Sequence, residues 1–183
     1  MTTVTDRTET ARALAAQVRD PEMPMLTLED LGVLRGVTVS DACSSGGSED
    51  VGPDGSSVVV TITPTYSGCP AMATMRDDIR HILHDHGFDD VRVAVQLEPA
   101  WTTDWITPRG RARLAEHGIS APAAAPKRSG PIPLTLVVPR RVLHCPRCDS
   151  SEVELTSEFG PTACTAIYRC RTCLEPFQHV KEI

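Results

Sequence analysis

The chain has 183 residues, 40% of them hydrophobic, and carries 18 Lys and Arg against 24 Asp and Glu for a net charge of −6. That length suits one ordinary domain plus a small module, and no run approaches the ~18 unbroken apolar residues of a membrane helix. The charge is uneven, since residues 1–118 hold ten bases and eighteen acids, which argues against the basic face that nucleic-acid binding requires.

The first residues, Met1-Thr2-Thr3-Val4-Thr5-Asp6, lack a basic stretch followed by an apolar one. A secretory signal is therefore not expected, and a cytoplasmic protein is. Ala11, Leu14, Ala15 and Val18 recur at helical spacing, so a helix is expected over Thr8–Asp20, stopped by Pro21. Asp20-Pro21-Glu22-Met23-Pro24 then puts two carboxylates on a proline-stiffened turn. They suit metal binding or hydrogen bonding to the loop that carries Cys69, and a plain helix stop explains them equally well. Val33–Val39 and Val58–Thr63 are rich in β-branched residues and read as strands. A Ser/Gly-rich connection containing Ser44–Ser48 joins them, and Cys43 beside it has no assigned role.

Thr63-Pro64-Thr65-Tyr66-Ser67-Gly68-Cys69-Pro70 leads into a helix expected over Pro70–His86, with Met72, Met75, Ile79, Ile82, Leu83 and His86 on one face and Gly87 closing it. Pro70 at the first helical position leaves Cys69 at the N-cap, where free N–H groups favour a thiolate. Cys69 is thus a candidate ligand or nucleophile. His81, His84 and His86 read as packing and surface residues. Asp90–Leu97 alternates as a third strand, and Thr107-Pro108 begins a last helix to His117. Both tryptophans fall in Trp101-Thr102-Thr103-Asp104-Trp105. Core packing and a docking surface through Trp101, Asp104 and Trp105 are equally open there. A helix between the second and third strands implies a crossover. The fold class expected for residues 1–118 is α/β (α+β), a small mixed sheet with helices.

Residues 119–140 are rich in Pro and Ala and read as a linker. Residues 141–183 hold Cys145-Pro146-Arg147-Cys148 and Cys170-Arg171-Thr172-Cys173, separated by twenty-one residues. Two Cys-x-x-Cys turns brought together by a hairpin make a closed tetrahedral four-sulfur site, expected to hold one structural zinc per chain, with iron the lesser alternative. The hairpin runs out over Glu152–Ser157 and back over Thr165–Arg169. In a regular hairpin Cys164 lies ~20 Å from the metal end and reads as a small buried apolar residue.

Asp20-Pro21-Glu22-Met23-Pro24 with Asp30-Leu31-Gly32, the Thr63–Pro70 motif, Pro99-Ala100-Trp101-Thr102-Thr103-Asp104-Trp105-Ile106, Phe159-Gly160-Pro161-Thr162-Ala163-Cys164 and the paired cysteine turns jointly resemble the PaaD family. That family belongs to bacterial phenylacetyl-CoA epoxidase gene clusters. The resemblance covers both domains. It implies a first domain similar to SufT-like iron–sulfur assembly domains and a C-terminal zinc ribbon. It further implies that Cys69, Asp20, Glu22 and Cys164 are candidates for transfer of a transient iron–sulfur cluster. The implied role is that of an accessory factor, not an enzyme, which matures the cluster of the flavin and iron–sulfur reductase of the epoxidase. The alternative is an electron-transfer or structural subunit of that complex. Partners expected are this reductase and, left open, a second copy of the chain, with neither nucleic acid nor membrane. Pro161 stands where the family commonly has serine.

Overall fold

The protein, described here from a computed structural model, is placed over residues 4–41, 56–66, 68–122 and 143–181. The Ser/Gly-rich connection with Cys43, together with Ser67 and residues 123–142 of the Pro/Ala-rich segment, lies outside the described residues. The chain is a mixed α+β protein that divides into two compact units. The first comprises Met1–Trp101 with Trp105–Gly110, the second Thr102–Asp104 with Arg111–Ile183.

In the first unit, α1 (Val4–Ala15) is followed by β1 (Leu34–Asp41), β2 (Ser56–Ile62), α2 (Met72–His84) and β3 (Asp90–Val95). The sheet order is β1-β2-β3, with β1 and β2 antiparallel and β2 and β3 parallel. The parallel pair requires a crossover, and α2 supplies it, as the strand–helix–strand pattern implies. Because Val37 pairs with Val60 and Val60 with Val93, these positions share one face of the sheet. Val37, Val39, Val58, Val60, Ile62 and Val91 are buried on that face. Ala11, Leu14 and Ala15 of α1 and Met75, Ile79 and Leu83 of α2 complete the core. Of the apolar stripe read from α2, Met72 and Ile82 are half-buried and His86 is exposed.

Helix ends differ from the sequence reading for local reasons. α1 stops at Ala15 because the next turn tightens, Val18 N donating to Ala15 O, and Arg19 then pairs with Thr27 in an antiparallel bridge. α2 starts at Met72 rather than Pro70. Its C-terminus is closed by Gly87 at φ 81°, with Phe88 N bonded to Leu83 O at 3.1 Å and Gly87 N to His84 O at 3.0 Å. That is the paired-bond stop that a left-handed glycine permits, and the buried Phe88 and Leu83 bracket it. α3 (Pro108–Glu116) is capped by the Thr107 hydroxyl, which accepts Gly110 N–H at 3.0 Å.

In the second unit, β4 (Ile119–Ser120), β5 (Val153–Ser157), β6 (Thr165–Cys170) and β7 (Pro176–Val180) form one sheet in the order β4-β7-β6-β5. β5 and β6 are the expected hairpin. β7 adds antiparallel to β6, and β4 adds parallel to β7. Ile119 and Ser120, expected at the head of the linker, are therefore strand residues. His179 fastens them, its Nδ1 lying 3.2 Å from both the carbonyl and hydroxyl oxygens of Ser120. Gly160 starts the return of the hairpin where a Cβ would collide with the Thr165 hydroxyl. No helix among the described residues is long and apolar enough to cross a membrane.

Candidate functional site

The two cysteine turns of the second unit are built alike. Cys145 N donates to Ser150 O at 2.9 Å, and Cys170 N donates to Glu175 O at 3.0 Å, five residues on in each case. The residue after each second cysteine turns left-handed, Asp149 at φ 59° and Leu174 at φ 64°. Such turns aim both sulfurs of a pair inward. The ligand atoms of Cys145, Cys148, Cys170 and Cys173 all lie within 4.8 Å of one another. Across the two turns Cys145 Sγ is 3.7 Å from Cys173 Sγ, and Cys148 Sγ is 3.6 Å from Cys170 Sγ. Four sulfurs bound tetrahedrally at about 2.3 Å from one ion stand about 3.8 Å apart. The donor set and its spacing thus fit a tetrahedral thiolate-bound metal with no open position.

The electrostatics point the same way. The N–H of Cys173, and after it that of Thr172, hold the Cys170 thiol down to about 6, against the raising effect of burial. The Ser150 N–H draws Cys148 down, but desolvation and its three sulfur neighbours outweigh it and push that thiol up to about 12. Losing all four protons would place four negative charges this close together, and a bound divalent cation would offset that repulsion. Cys145, Cys170 and Phe177 form a small buried cluster under the site, with Val153, Tyr168 and Cys173 packed on it. Cys164 is 5% exposed and is not in the four-cysteine group. Its sulfur lies 3.1 Å from the Thr162 hydroxyl, and it precedes β6 while Cys170 ends that strand.

In the first unit, Cys69 lies in the β2–α2 loop, beyond the carboxyl end of β2 in the crossover. Open α/β sheets bind ligands at this edge. Cys69 is partly exposed. It is not the N-cap: Ala71 holds that position in a helical conformation with no side-chain cap bond, and Cys69 contributes its carbonyl, accepting Met72 N at 3.4 Å. Pro70 and Ala71 form the turn that separates the thiol from the helix. Two buried polar atoms without a hydrogen-bond partner among the described residues flank the loop in sequence, Thr63 Oγ1 before it and Arg76 Nε after it.

Asp20 is 6% exposed and serves the turn it sits on, its Oδ1 accepting Glu22 N at 2.8 Å and Met23 N at 2.7 Å. Burial raises its pKa, and these two N–H groups oppose the shift. Glu22 is half-buried. The largest omission of the sequence reading is Asp30. This side chain is fully buried, accepts Arg109 Nε at 2.5 Å and Thr27 N at 3.2 Å, and its backbone oxygen accepts Thr107 N at 2.9 Å. Gly110 fits over it because a Cβ there would stand 2.6 Å from that oxygen. Leu31 and Gly32 hold the tryptophans. Trp101 Nε1 donates to Leu31 O at 2.9 Å, and a Cβ on Gly32 would lie 2.5 Å from the Cβ and carbonyl oxygen of Trp105. Trp101, at 4% exposure, is core and presents no docking surface, whereas Trp105 is half-buried with the Arg35 guanidinium 3.5 Å from its ring centre. Asp104 is exposed.

Two stretches of the chain match models of known protein families. Residues 131–181 match the model of the PaaD zinc beta ribbon domain, and residues 8–95 match that of the iron-sulfur cluster assembly protein. Over 169 residues the chain is 45% identical to an Escherichia coli (strain K12) protein provisionally named as a subunit of 1,2-phenylacetyl-CoA epoxidase, covering 92% of this chain and 89% of that one. The chain belongs to the PaaD family. The PaaD ribbon match takes in all four paired cysteines, and the assembly match takes in Asp20, Glu22 and Cys69. The Asp30-Leu31-Gly32 turn lies inside the assembly match, but its partners Trp101, Trp105 and Arg109 fall between the two matched stretches. Among solved structures, a crystal structure of a domain of unknown function, DUF59, from Bacillus anthracis is similar at 22% identity and TM-score 0.46, covering 58% of this chain and 90% of that one.

Proposed function

We propose that this PaaD-family protein is an accessory factor that builds or inserts the iron–sulfur cluster of the reductase in a phenylacetyl-CoA epoxidase system, and is not itself an enzyme. The observation that carries the reading is the joint occurrence, on one chain, of an iron–sulfur assembly domain and 45% identity to a protein named as an epoxidase subunit. The cluster is cargo, and Cys69 is its transient thiolate ligand. Its place beyond the carboxyl end of β2, partly open to solvent, suits a group that receives and releases a guest. The Thr63 hydroxyl and Arg76 Nε, without a partner among the described residues, supply polar groups near the loop in sequence. Asp20 and Glu22 set the acidic turn, and exposed Asp104 is the docking residue of the Trp101–Trp105 segment that remains accessible.

The second unit holds one structural zinc through Cys145, Cys148, Cys170 and Cys173. With all four positions filled by thiolate, the ion supplies a crosslink and no open site for chemistry. The neighbouring N–H groups of Thr172 and Cys173, 3.4 and 3.5 Å from Cys170 Sγ, orient that ligand and spread its charge.

Iron and acid-labile sulfide, measured in reductase purified from cells with and without this protein, test the reading. Reductase made without it is expected to contain flavin but little iron or sulfide, and its activity should return when the cluster is rebuilt chemically. Full cluster occupancy together with lost epoxidase activity would instead favour a stable subunit of the complex, the reading that the relative's name supports.

A further inference from the structure

The four cysteines of the ribbon are unequal in access. Cys170 and Cys145 are 0% and 2% exposed, Cys173 is half-buried, and Cys148 is exposed. Cys170 is further shielded by the N–H groups of Thr172 and Cys173. Cys148 borders an open cavity of about 470 Å³ that buried Cys145 also lines, together with His144, Arg147 and Asp149, so exposure and not the cavity singles out Cys148. Cys173 is not among the residues lining that cavity. Across the turns the Cys148 sulfur stands 3.6 Å from that of Cys170. A reagent reaching the sulfurs from solvent therefore meets Cys148 first, with a second sulfur within reach behind it.

We propose that Cys148 is the labile ligand of the ribbon's metal and a modification site for two-electron oxidants of the hydroperoxide class. The proposal rests on the metal-site reading given above. The Cys148 sulfur attacks one peroxide oxygen, the O–O bond breaks, and the departing hydroxide takes a proton to become water. The Cys170 sulfur then attacks the resulting sulfenic acid, an S–S bond forms, and its hydroxyl leaves as water after taking up a further proton. Two thiolates, one hydrogen peroxide and two protons thus give one disulfide and two waters. The pair no longer carries the negative charge that held the cation, and the ion is released. Oxidation at this one exposed position dismantles the ribbon's crosslink.

The test uses the full-length, zinc-loaded protein titrated with hydrogen peroxide. Zinc release is followed with a chromogenic chelator, and thiols are mapped by mass spectrometry without reduction. Zinc release and a Cys148–Cys170 disulfide should appear together, before any change at Cys145 or Cys173. Cys148→His, which keeps a nitrogen ligand, should release zinc at least tenfold more slowly. The wild-type map decides alone if that variant does not load. First modification at Cys145 or Cys173, or release from Cys148→His at the wild-type rate, overturns the proposal. Untreated protein that contains no metal would instead sink the metal-site reading, a different result from either of these.

Discussion

Asp30 and Arg109 are 79 residues apart in sequence, yet the carboxylate accepts the guanidinium Nε hydrogen at 2.5 Å. Asp30 is fully buried, while more than half of the Arg109 side chain is exposed. Burial raises the Asp30 pKa, but the hydrogen bond from Arg109, with those from Thr27, outweighs it and leaves the carboxyl below its usual range. A carboxyl depressed in the folded state contributes stability that is present above its unfolded pKa and is lost as pH falls through the folded value. Asp30→Asn is expected to cost about 2 kcal/mol at neutral pH, the scale of charge-assisted hydrogen bonds. The difference from wild type should shrink on acidification below the ordinary aspartate range. Urea titrations of both proteins at neutral and acid pH check this, and a difference independent of pH would refute it.

Asp20 carries the opposite sign. Its pKa is raised, chiefly by burial, so it favours the fold at low pH and loses that contribution as pH rises through the folded value. Asn at position 20 keeps an oxygen for the N–H groups of Glu22 and Met23. Asp20→Asn should therefore be as stable as wild type at neutral pH, or more so. If the carboxylate charge serves cargo handling, the variant should nonetheless deliver less iron to the reductase, which metal analysis of that client measures.

Gly32 and Gly87 both adopt positive φ, 69° and 81°, but only Gly32 is crowded. Gly87→Ala meets nothing within 4 Å and should cost about 1 kcal/mol for the left-handed backbone alone. Gly32→Ala adds a collision with Trp105 and should cost about 3 kcal/mol. Tryptophan fluorescence during denaturation should report the larger effect, and equal costs at the two sites would contradict the packing around Trp105.

Apparent binding free energies of structural zinc sites reach about 10–16 kcal/mol at neutral pH, more than a module this small gains from its core. Chelation, or Cys173→Ser, should abolish bound metal and unfold β5–β7 while β1–β3 stay folded. Amide hydrogen exchange on the chelated protein and on the variant reads both outcomes. One metal per chain surviving in Cys173→Ser would show that the ligand set is wrong.

Cys69→Ala should change the unfolding free energy by no more than about 1 kcal/mol, because the thiol is partly exposed and lies ahead of the Ala71 N-cap position. The same variant should leave the reductase short of iron and sulfide. A normal cluster content in that strain would remove Cys69 from the proposed transfer.

What is legible in the sequence follows from short-range pattern. Met75, Ile79 and Leu83 repeat at helical spacing, so α2 and its crossover can be read directly, and the two Cys-x-x-Cys turns announce a four-sulfur site by spacing alone. Long-range partners cannot be read this way. Nothing local to Asp30-Leu31-Gly32 says that Arg109, Trp101 and Trp105 will close on it. β7 begins with proline and buries a histidine, so it lacks the alternation of a strand, and two-residue β4 is too short to carry any pattern. Spacing misplaces Cys69 onto the helix cap because a proline suits the first helical position equally well in sequence, whereas Pro70 here belongs to the preceding turn.

The pairing of β4 with β7 has a consequence for where the ribbon can be cut. Ile119 and Ser120 precede the stretch that matches the PaaD ribbon, residues 131–181, yet they pair with Gln178 and His179 inside it. A ribbon excised at residue 131 would lose β4, and with it the Ser120 oxygens that lie 3.2 Å from His179 Nδ1.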